Sequence, residues 1–177
     1  MKNFLDFARP PEPQLQRMDV HQALEGAVTL LLPKAVAQQV VIQKDWNKEP
    51  ILVEVDREQL HQAFLNVLLN AIEAMPHGGV LEISTKKKDS VTHSMAVVEI
   101  QDSGSGVPLN LKERLFEPFV TTKEGGTGLG LFIASRIIQT HRGKIEVDSR
   151  KGKGTVFTVA LPLCSRQSRI DQEVVVS

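Results

Sequence analysis

The chain has a single cysteine, no net charge and no long apolar run. One cysteine, Cys164, excludes an intrachain disulfide and suits a reducing compartment. Lys plus Arg total 21 and Asp plus Glu total 21, a formal net charge of zero that favours neither nucleic acid nor an anionic membrane. Neutrality leaves a phosphate ligand open, because backbone N–H groups alone can build an anion site. No stretch approaches the roughly 20 apolar residues of a membrane span, and no signal-peptide pattern opens the chain. A cytoplasmic domain is therefore expected, with any anchor left in a longer parent protein. Internal repeats and low-complexity tracts are also lacking. At 177 residues, 41% apolar and 24% charged, the chain fits one globular domain with a single core.

Met1 to Arg9 reads as the end of a helix stopped by Pro10, Pro11 and Pro13. Asp19 is placed to cap a helix reaching about Gln38, with Val20, Leu24, Ala27, Val28, Leu31 and Leu32 near helical spacing. Pro33 leaves the end of that helix open. Val40–Trp46 and Ile51–Val55 carry β-branched, partly alternating patterns and read as strands. Asp56 caps a long helix through Met75, stopped by Pro76 and Gly78-Gly79. Strands are expected over Val80–Lys86 and Met95–Gln101, and a helix over roughly Thr127–His141 with Gly143 as its C-terminal glycine. Lys144–Ser149 and Thr155–Leu161 form a hairpin through Gly152-Lys-Gly154, and the tail from Ser165 has little core-forming pattern. Strands that are partly hairpin-connected, interleaved with helices, predict an α/β (α+β) two-layer sandwich. Its mixed, mostly antiparallel sheet is covered on one face by about three helices.

Three places carry chemistry. In the helix from Asp56, Leu60, Phe64, Val67, Leu68, Ala71 and Met75 fall on one arc, while Asn66, Asn70 and Glu73 share the polar side. Asn is a mediocre helix former, and its amide oxygen suits a hard cation such as Mg²⁺ while its N–H groups suit phosphate. The same face, taken alone, also fits an ordinary solvated surface. Asp102 ends an apolar strand, where its carboxylate can accept from an exocyclic amine, and Gly104 and Gly106 let backbone pass close to a planar base. An Asp-Ser-Gly turn explains those residues equally well. Gly126-Thr-Gly-Leu-Gly130 opens a helix whose N–H groups face an anion. It lacks the Gly-Lys-Ser/Thr ending of a P-loop and does not follow a strand directly, which disfavours P-loop and Rossmann folds. Between these places, Thr121-Thr-Lys-Glu124 reads as a lid. There Lys123 is either an arm for a terminal phosphate or a surface lysine. Phe116 and Phe119 read as packing anchors for the lid.

Five ordered segments then resemble one family: Asn66-Val-Leu-Leu-Asn70, Asp102-Ser-Gly-Ser-Gly-Val-Pro108, Phe116-Glu-Pro-Phe119, Gly126-Thr-Gly-Leu-Gly-Leu131 and Gly152-Lys-Gly-Thr155-Val-Phe157. They are similar to the N, G1, F and G2 boxes and the closing strand motif of the sensor histidine kinase catalytic domain. That domain belongs with the gyrase, Hsp90 and MutL ATPases. The resemblance implies the Bergerat sandwich, with ATP and Mg²⁺ bound beneath a flexible lid. It implies that Asn70 holds Mg²⁺ and that Asn66 lies near the phosphates. Asp102 would bind the adenine amine, supported by Thr155 directly or through water, with Gly104 and Gly106 shaping the pocket. Thr127, Gly128, Leu129 and Gly130 would present amides to the phosphates, next to Leu131. Asn66 and Lys123 are the candidate catalytic residues.

The opening Phe4-Leu-Asp-Phe-Ala-Arg-Pro-Pro-Glu-Pro13 looks like the end of a dimerisation helix and linker in nitrogen-regulation-type kinases. Residues 1–17 are accordingly expected to be that remnant, 18–163 the catalytic domain and 164–177 a tail. No histidine here precedes an acidic residue: His21, His61, His77, His93 and His141 are followed by Gln, Gln, Gly, Ser and Arg. The acceptor histidine is thus expected on a separate dimerisation domain, with a response regulator as the next partner. Gyrase-type ATPases place a general-base Glu four residues before the metal-binding Asn, where this chain has Asn66. A serine kinase of the anti-sigma type is likewise associated with an acid there. A nucleotide-binding module without transfer activity stays open.

Overall fold

Two aspartates start the two long helices, as their positions predict. The computed structural model describes residues 12–89, 94–121, 123, 125–149 and 152–164. The expected helix end at Met1 to Arg9, the tail from Ser165, Thr122 and Glu124 lie outside the described residues. The elements run β1 (Gln16–Asp19), α1 (Val20–Ala37), β2 (Val40–Asp45), β3 (Leu52–Val55), α2 (Arg57–Glu73), β4 (Gly79–Lys88), β5 (Met95–Asp102), α3 (Leu109–Lys112), α4 (Gly130–Thr140), β6 (Lys144–Ser149) and β7 (Thr155–Pro162). Five strands form one sheet in the order β2-β4-β5-β7-β6, in which only β2 and β4 run parallel. α1, α2 and α4 pack side by side on it, the two-layer sandwich that the strand pattern predicts.

Alternation along the strands decides which face is covered. Leu81 and Ile83 of β4, Val98 and Ile100 of β5, and Phe157, Val159 and Leu161 of β7 point to the helices and are buried. Against them α2 presents Leu60, Phe64, Val67, Leu68 and Ala71, with Met75 just past its end, each at most 1% exposed. Each large side chain in that stripe stabilises the fold by about 1.5–3 kcal/mol. On α1 the stripe is narrower than its spacing suggests. Leu31 is buried, but Leu32 lies a further 100° around the helix and is 50% exposed. Pro33 does not end α1. It stands inside the helix on the exposed side, as does Thr29, whose carbonyl it leaves without an amide, so water can replace that bond.

Several departures have local causes. β1 has no alternating pattern to announce it, yet it pairs antiparallel with β3, Met18 opposite Val53, in a separate two-stranded sheet. Asp19 joins that sheet to α1, its Oδ1 accepting from the amides of His21 (3.2 Å) and Ile51 (3.1 Å). α4 begins at Gly130 rather than Thr127, so the Gly-Thr-Gly segment stays outside the helix. At its other end the left-handed residue is Arg142 (φ 57), not Gly143. Gly143 is required for space instead, because a Cβ there would lie 2.6 Å from the Ala160 carbonyl oxygen.

His141 links α4 to α2. The Asp56 amide can only donate, and it does so to His141 Nε2 at 2.9 Å. The ring proton therefore sits on Nδ1 and donates to the Ile137 carbonyl at 2.8 Å. Asp56 in turn caps α2, accepting from the Glu58 and Gln59 amides at 3.0 Å each. Replacing His141 with Leu should strand the Asp56 amide beside a buried apolar group. A loss of about 1–3 kcal/mol in urea unfolding is expected, and unchanged stability would show that the link carries no weight.

Candidate functional site

A cleft of about 470 Å³ opens between α2, the segment from Ser105 to Gly128 and the start of α4. Of the residues expected at the site, Asn66, Asn70, Gly106, Lys123, Thr127, Gly128, Gly130, Leu131 and Thr155 line it. Gly104 and Leu129 do not. Asp102 lies behind the wall, 1% exposed, at the buried end of β5 between Leu81 and Thr155. Sequence reasoning missed an apolar wall of Val107, Leu111 and Leu115, although their spacing by four residues is a helical signal that could have found it. Among the described residues, no histidine lines the cleft.

The two Asp102 oxygens differ. Oδ1 accepts from the Gly104 amide at 2.9 Å, the turn that an Asp-Ser-Gly segment predicts. Oδ2 is buried with no partner. Burial pushes the Asp102 pKa up, and the opposing pull of the Gly104 and Thr155 amides and of the Lys123 charge does not cancel it. Unmet acceptors in apolar surroundings are costly. Here the vacant lone pairs fit an amine donor such as the exocyclic group of adenine. Gly104 is required for close packing on the end of α2, since a Cβ there would lie 2.5 Å from the Ala74 carbonyl oxygen and 2.8 Å from Asp102 Oδ1.

Ser149 holds this end together, although nothing in its sequence context marks it. It is 3% exposed, and its Oγ donates to the Gly154 carbonyl (3.0 Å) and accepts from the Val107 amide (2.7 Å). With that single proton committed, the 3.0 Å contact to Thr155 Oγ1 has Thr155 as donor. Thr155 thus offers lone pairs to the cleft. The Gly152 amide donates to the Ser105 carbonyl at 2.7 Å and ties the hairpin turn to the same loop.

At the opposite end α4 begins with no side-chain cap. Its first amides and the positive end of its dipole are thereby left for an anion. Asn66 stands beside them: a Cβ on Gly130 would lie 3.9 Å from the Asn66 side chain, and Asn66 Nδ2 is buried without an acceptor. This face of α2 is therefore not the solvated surface that its composition also allowed. A donor needing an acceptor beside an uncapped helix start fits a phosphate.

Asn70 meets the lid. Lys123 Nζ donates to Asn70 Oδ1 at 3.0 Å and to Glu73 Oε2 at 2.8 Å, while Lys34 Nζ holds Glu73 Oε1 at 3.0 Å. Burial raises the Glu73 pKa, but the two lysines outweigh it and hold the carboxyl below its ordinary range. Asn70 Oδ1 has the hard oxygen that Mg²⁺ requires. Among the described residues no group of three His, Cys, Asp or Glu side chains could hold a metal, so most ligands of a cation here must come from phosphate or water.

The two lid phenylalanines differ in burial. Phe116 packs edge-on against Phe157, centroids 6.5 Å apart, as an anchor should. The Phe119 ring is 60% exposed, which corrects the expectation that it anchors in the same way. It has left-handed backbone (φ 66), and its amide donates to the Gly128 carbonyl at 3.0 Å. Gly128 (φ 65) lies so close that a Cβ would be 2.5 Å from the Phe119 carbonyl carbon.

Comparison with known proteins agrees with this geometry. Residues 55–165 match the family described as histidine kinase-, DNA gyrase B- and HSP90-like ATPase. Sporulation kinase C of Bacillus subtilis is 39% identical over 166 residues, covering 93% of this chain and 38% of that protein. The chain spans well under half the length of such curated relatives. The nucleotide-free catalytic domain of histidine kinase ThkA superposes with a TM-score of 0.73 at 33% identity, covering 84% of this chain and 95% of that one. ThkA in complex with the response regulator TrrA gives 0.74 at 27% identity, covering 90% and 45%. Full-length ShkA in complex with AMPPNP gives 0.78 at 26%, covering 91% and 34%.

Gly128→Ala should strain the lid hinge on both counts, space and φ. Hydrogen exchange of the Phe119 amide is expected to accelerate by about tenfold or more, as for loss of one local bond. An unchanged rate would mean that the contact does not hold the lid.

Proposed function

The chain belongs to the histidine kinase-, DNA gyrase B- and HSP90-like ATPase family, and on that premise we propose that it is the ATP-binding catalytic domain of a two-component sensor histidine kinase. The observation that carries the choice is Asn66, a residue without basicity at the phosphate end of the cleft. Glu73 is the one carboxylate among the described residues lining the cleft, and its two lysines keep it from acting as a base. A site without a water-activating group suits transfer to an external nucleophile, and a neutral imidazole needs no base to attack.

Asp102 Oδ2 accepts the adenine amine and Thr155 lies opposite it in register. The uncapped start of α4 and Asn66 Nδ2 face the phosphates. Lys123 adds a point charge there. Asn70 Oδ1 would hold Mg²⁺, which when bound neutralises and orients the phosphate oxygens. The γ-phosphorus gains a bond to the histidine nitrogen and loses its bond to the bridging oxygen, leaving ADP. Catalysis rests on position and charge rather than on covalent help from this chain.

The acceptor histidine belongs to a dimerisation domain, and the phosphoryl group passes on to the receiver domain of a response regulator. Support for the second partner is the ThkA–TrrA complex, and support for ATP is the AMPPNP complex of ShkA. Among the described residues, no helix is long and apolar enough to cross a membrane. The setting proposed for this domain is the cytoplasm.

The test is to mix the chain with Mg·ATP and a separate histidine-containing dimerisation domain. Acid-labile phosphate on that domain is the expected result, whereas ATP binding without any transfer would favour an inert nucleotide module. Asp102→Asn should raise the Kd for ATP by about tenfold or more. Its melting temperature should hold or rise, since a buried unpaired charge is removed. Wild-type affinity in calorimetry would sink the assignment. Asn70→Ala should lower Mg²⁺-dependent transfer, and unchanged transfer would remove Asn70 as a ligand.

A further inference from the structure

The contact between Lys123 and α2 has a second use. Asn70 and Glu73 stand three residues apart on one helix face, so their side chains converge on one point. The point is taken by an ammonium, 3.0 Å from Asn70 Oδ1 and 2.8 Å from Glu73 Oε2. An amide oxygen and a carboxylate oxygen on one cation are the hard donor set that suits Mg²⁺. The other Glu73 oxygen is held by Lys34 of α1. Lys34 is independent of the lid, so Glu73 stays aimed at the niche when Lys123 leaves.

We propose that Glu73 joins Asn70 on the divalent cation that accompanies the nucleotide, directly or through a bound water, and that Lys123 fills the position until that cation arrives. The inference rests on the ATP reading above. Both cations cannot occupy one niche, so the arriving metal expels the lysine. Release from α2 turns the Lys123 ammonium toward the phosphates. Nucleotide entering without metal meets a carboxylate beside its phosphates and a lysine still engaged. The niche therefore makes release of Lys123 depend on metal as well as on nucleotide.

The experiment is calorimetric titration of the chain with ADP in Mg²⁺ and in EDTA, which needs no turnover. Wild type should bind ADP more tightly with Mg²⁺. Glu73→Gln should raise the Kd in the Mg²⁺ arm by about fivefold or more, the scale of a modest coupling between two ligands. Lys123→Met should lower the Mg²⁺ concentration that gives half of the tightening by a similar factor of about five. Lys34→Met removes the other ion pair of Glu73 but no group of the niche, and should weaken the Mg²⁺ arm less than Glu73→Gln does. An unchanged Mg²⁺ arm in Glu73→Gln, or a change confined to EDTA, overturns Glu73 on the metal. A loss in Lys34→Met as large as in Glu73→Gln overturns it too, because Glu73 would then act only by tying α1 to α2. An unchanged Mg²⁺ midpoint in Lys123→Met overturns the competition. Absence of ADP binding by the wild type in both arms would instead refute the ATP reading itself.

Discussion

Helix α2 can hold amide and carboxylate groups at the rim of a cleft because its other side is buried. Leu60, Phe64, Val67, Leu68 and Ala71 lock its rotation against the sheet and against α1 and α4. Asn66, Asn70 and Glu73 follow as a rigid consequence, since residues spaced by three and four return to one face. Asp56 and His141 fix where the helix begins, and so set its height in the layer. A cation or phosphate site needs its groups held to within a fraction of an ångström. A helix clamped on both flanks supplies that without a dedicated frame.

The Asp102 end of the cleft obeys the opposite logic. Asp102 is held in apolar surroundings with one oxygen unmet, at a cost to the fold that a ligand donor would relieve. Around it the structure leaves little slack. The Gly104 amide binds Asp102 Oδ1, and Ser149 binds the loop, the hairpin carbonyl and the Thr155 hydroxyl at once. Stable packing lies in the helices and tension in the carboxylate, and the cleft lies between them. Among the described residues, the lid meets the rest of the cleft through a backbone bond at Phe119 and the ammonium of Lys123.

Helix starts at Asp19 and Asp56 were legible because a short acceptor before an amphipathic run has one economical use. The α2 stripe and the hairpin around Gly152 were legible from periodicity and glycine. β1 was not, since its partner β3 lies more than thirty residues away and its side chains do not alternate. The start of α4 was misplaced because glycines that precede a helix look like glycines inside its first turn. Arg142 took the left-handed position expected of Gly143, and Gly143 met a contact with β7 that no local pattern contains.

By itself the sequence determined which residue types stand where the chemistry is proposed: Asn66 without basicity, Asp102 at a strand end, and two glycine clusters in a set order. Their types limit what they can donate or accept whatever the fold. Only the tertiary structure decided how each donor and acceptor is spent. It left one Asp102 oxygen unmet, buried Asn66 Nδ2 beside α4, brought Ser149 to the Val107 amide, and set Lys123 between Asn70 and Glu73. The reason is physical. Hydrogen-bond capacity is a property of a residue, whereas the partner that uses it, or is denied to it, arrives from forty or fifty residues away when the layers close.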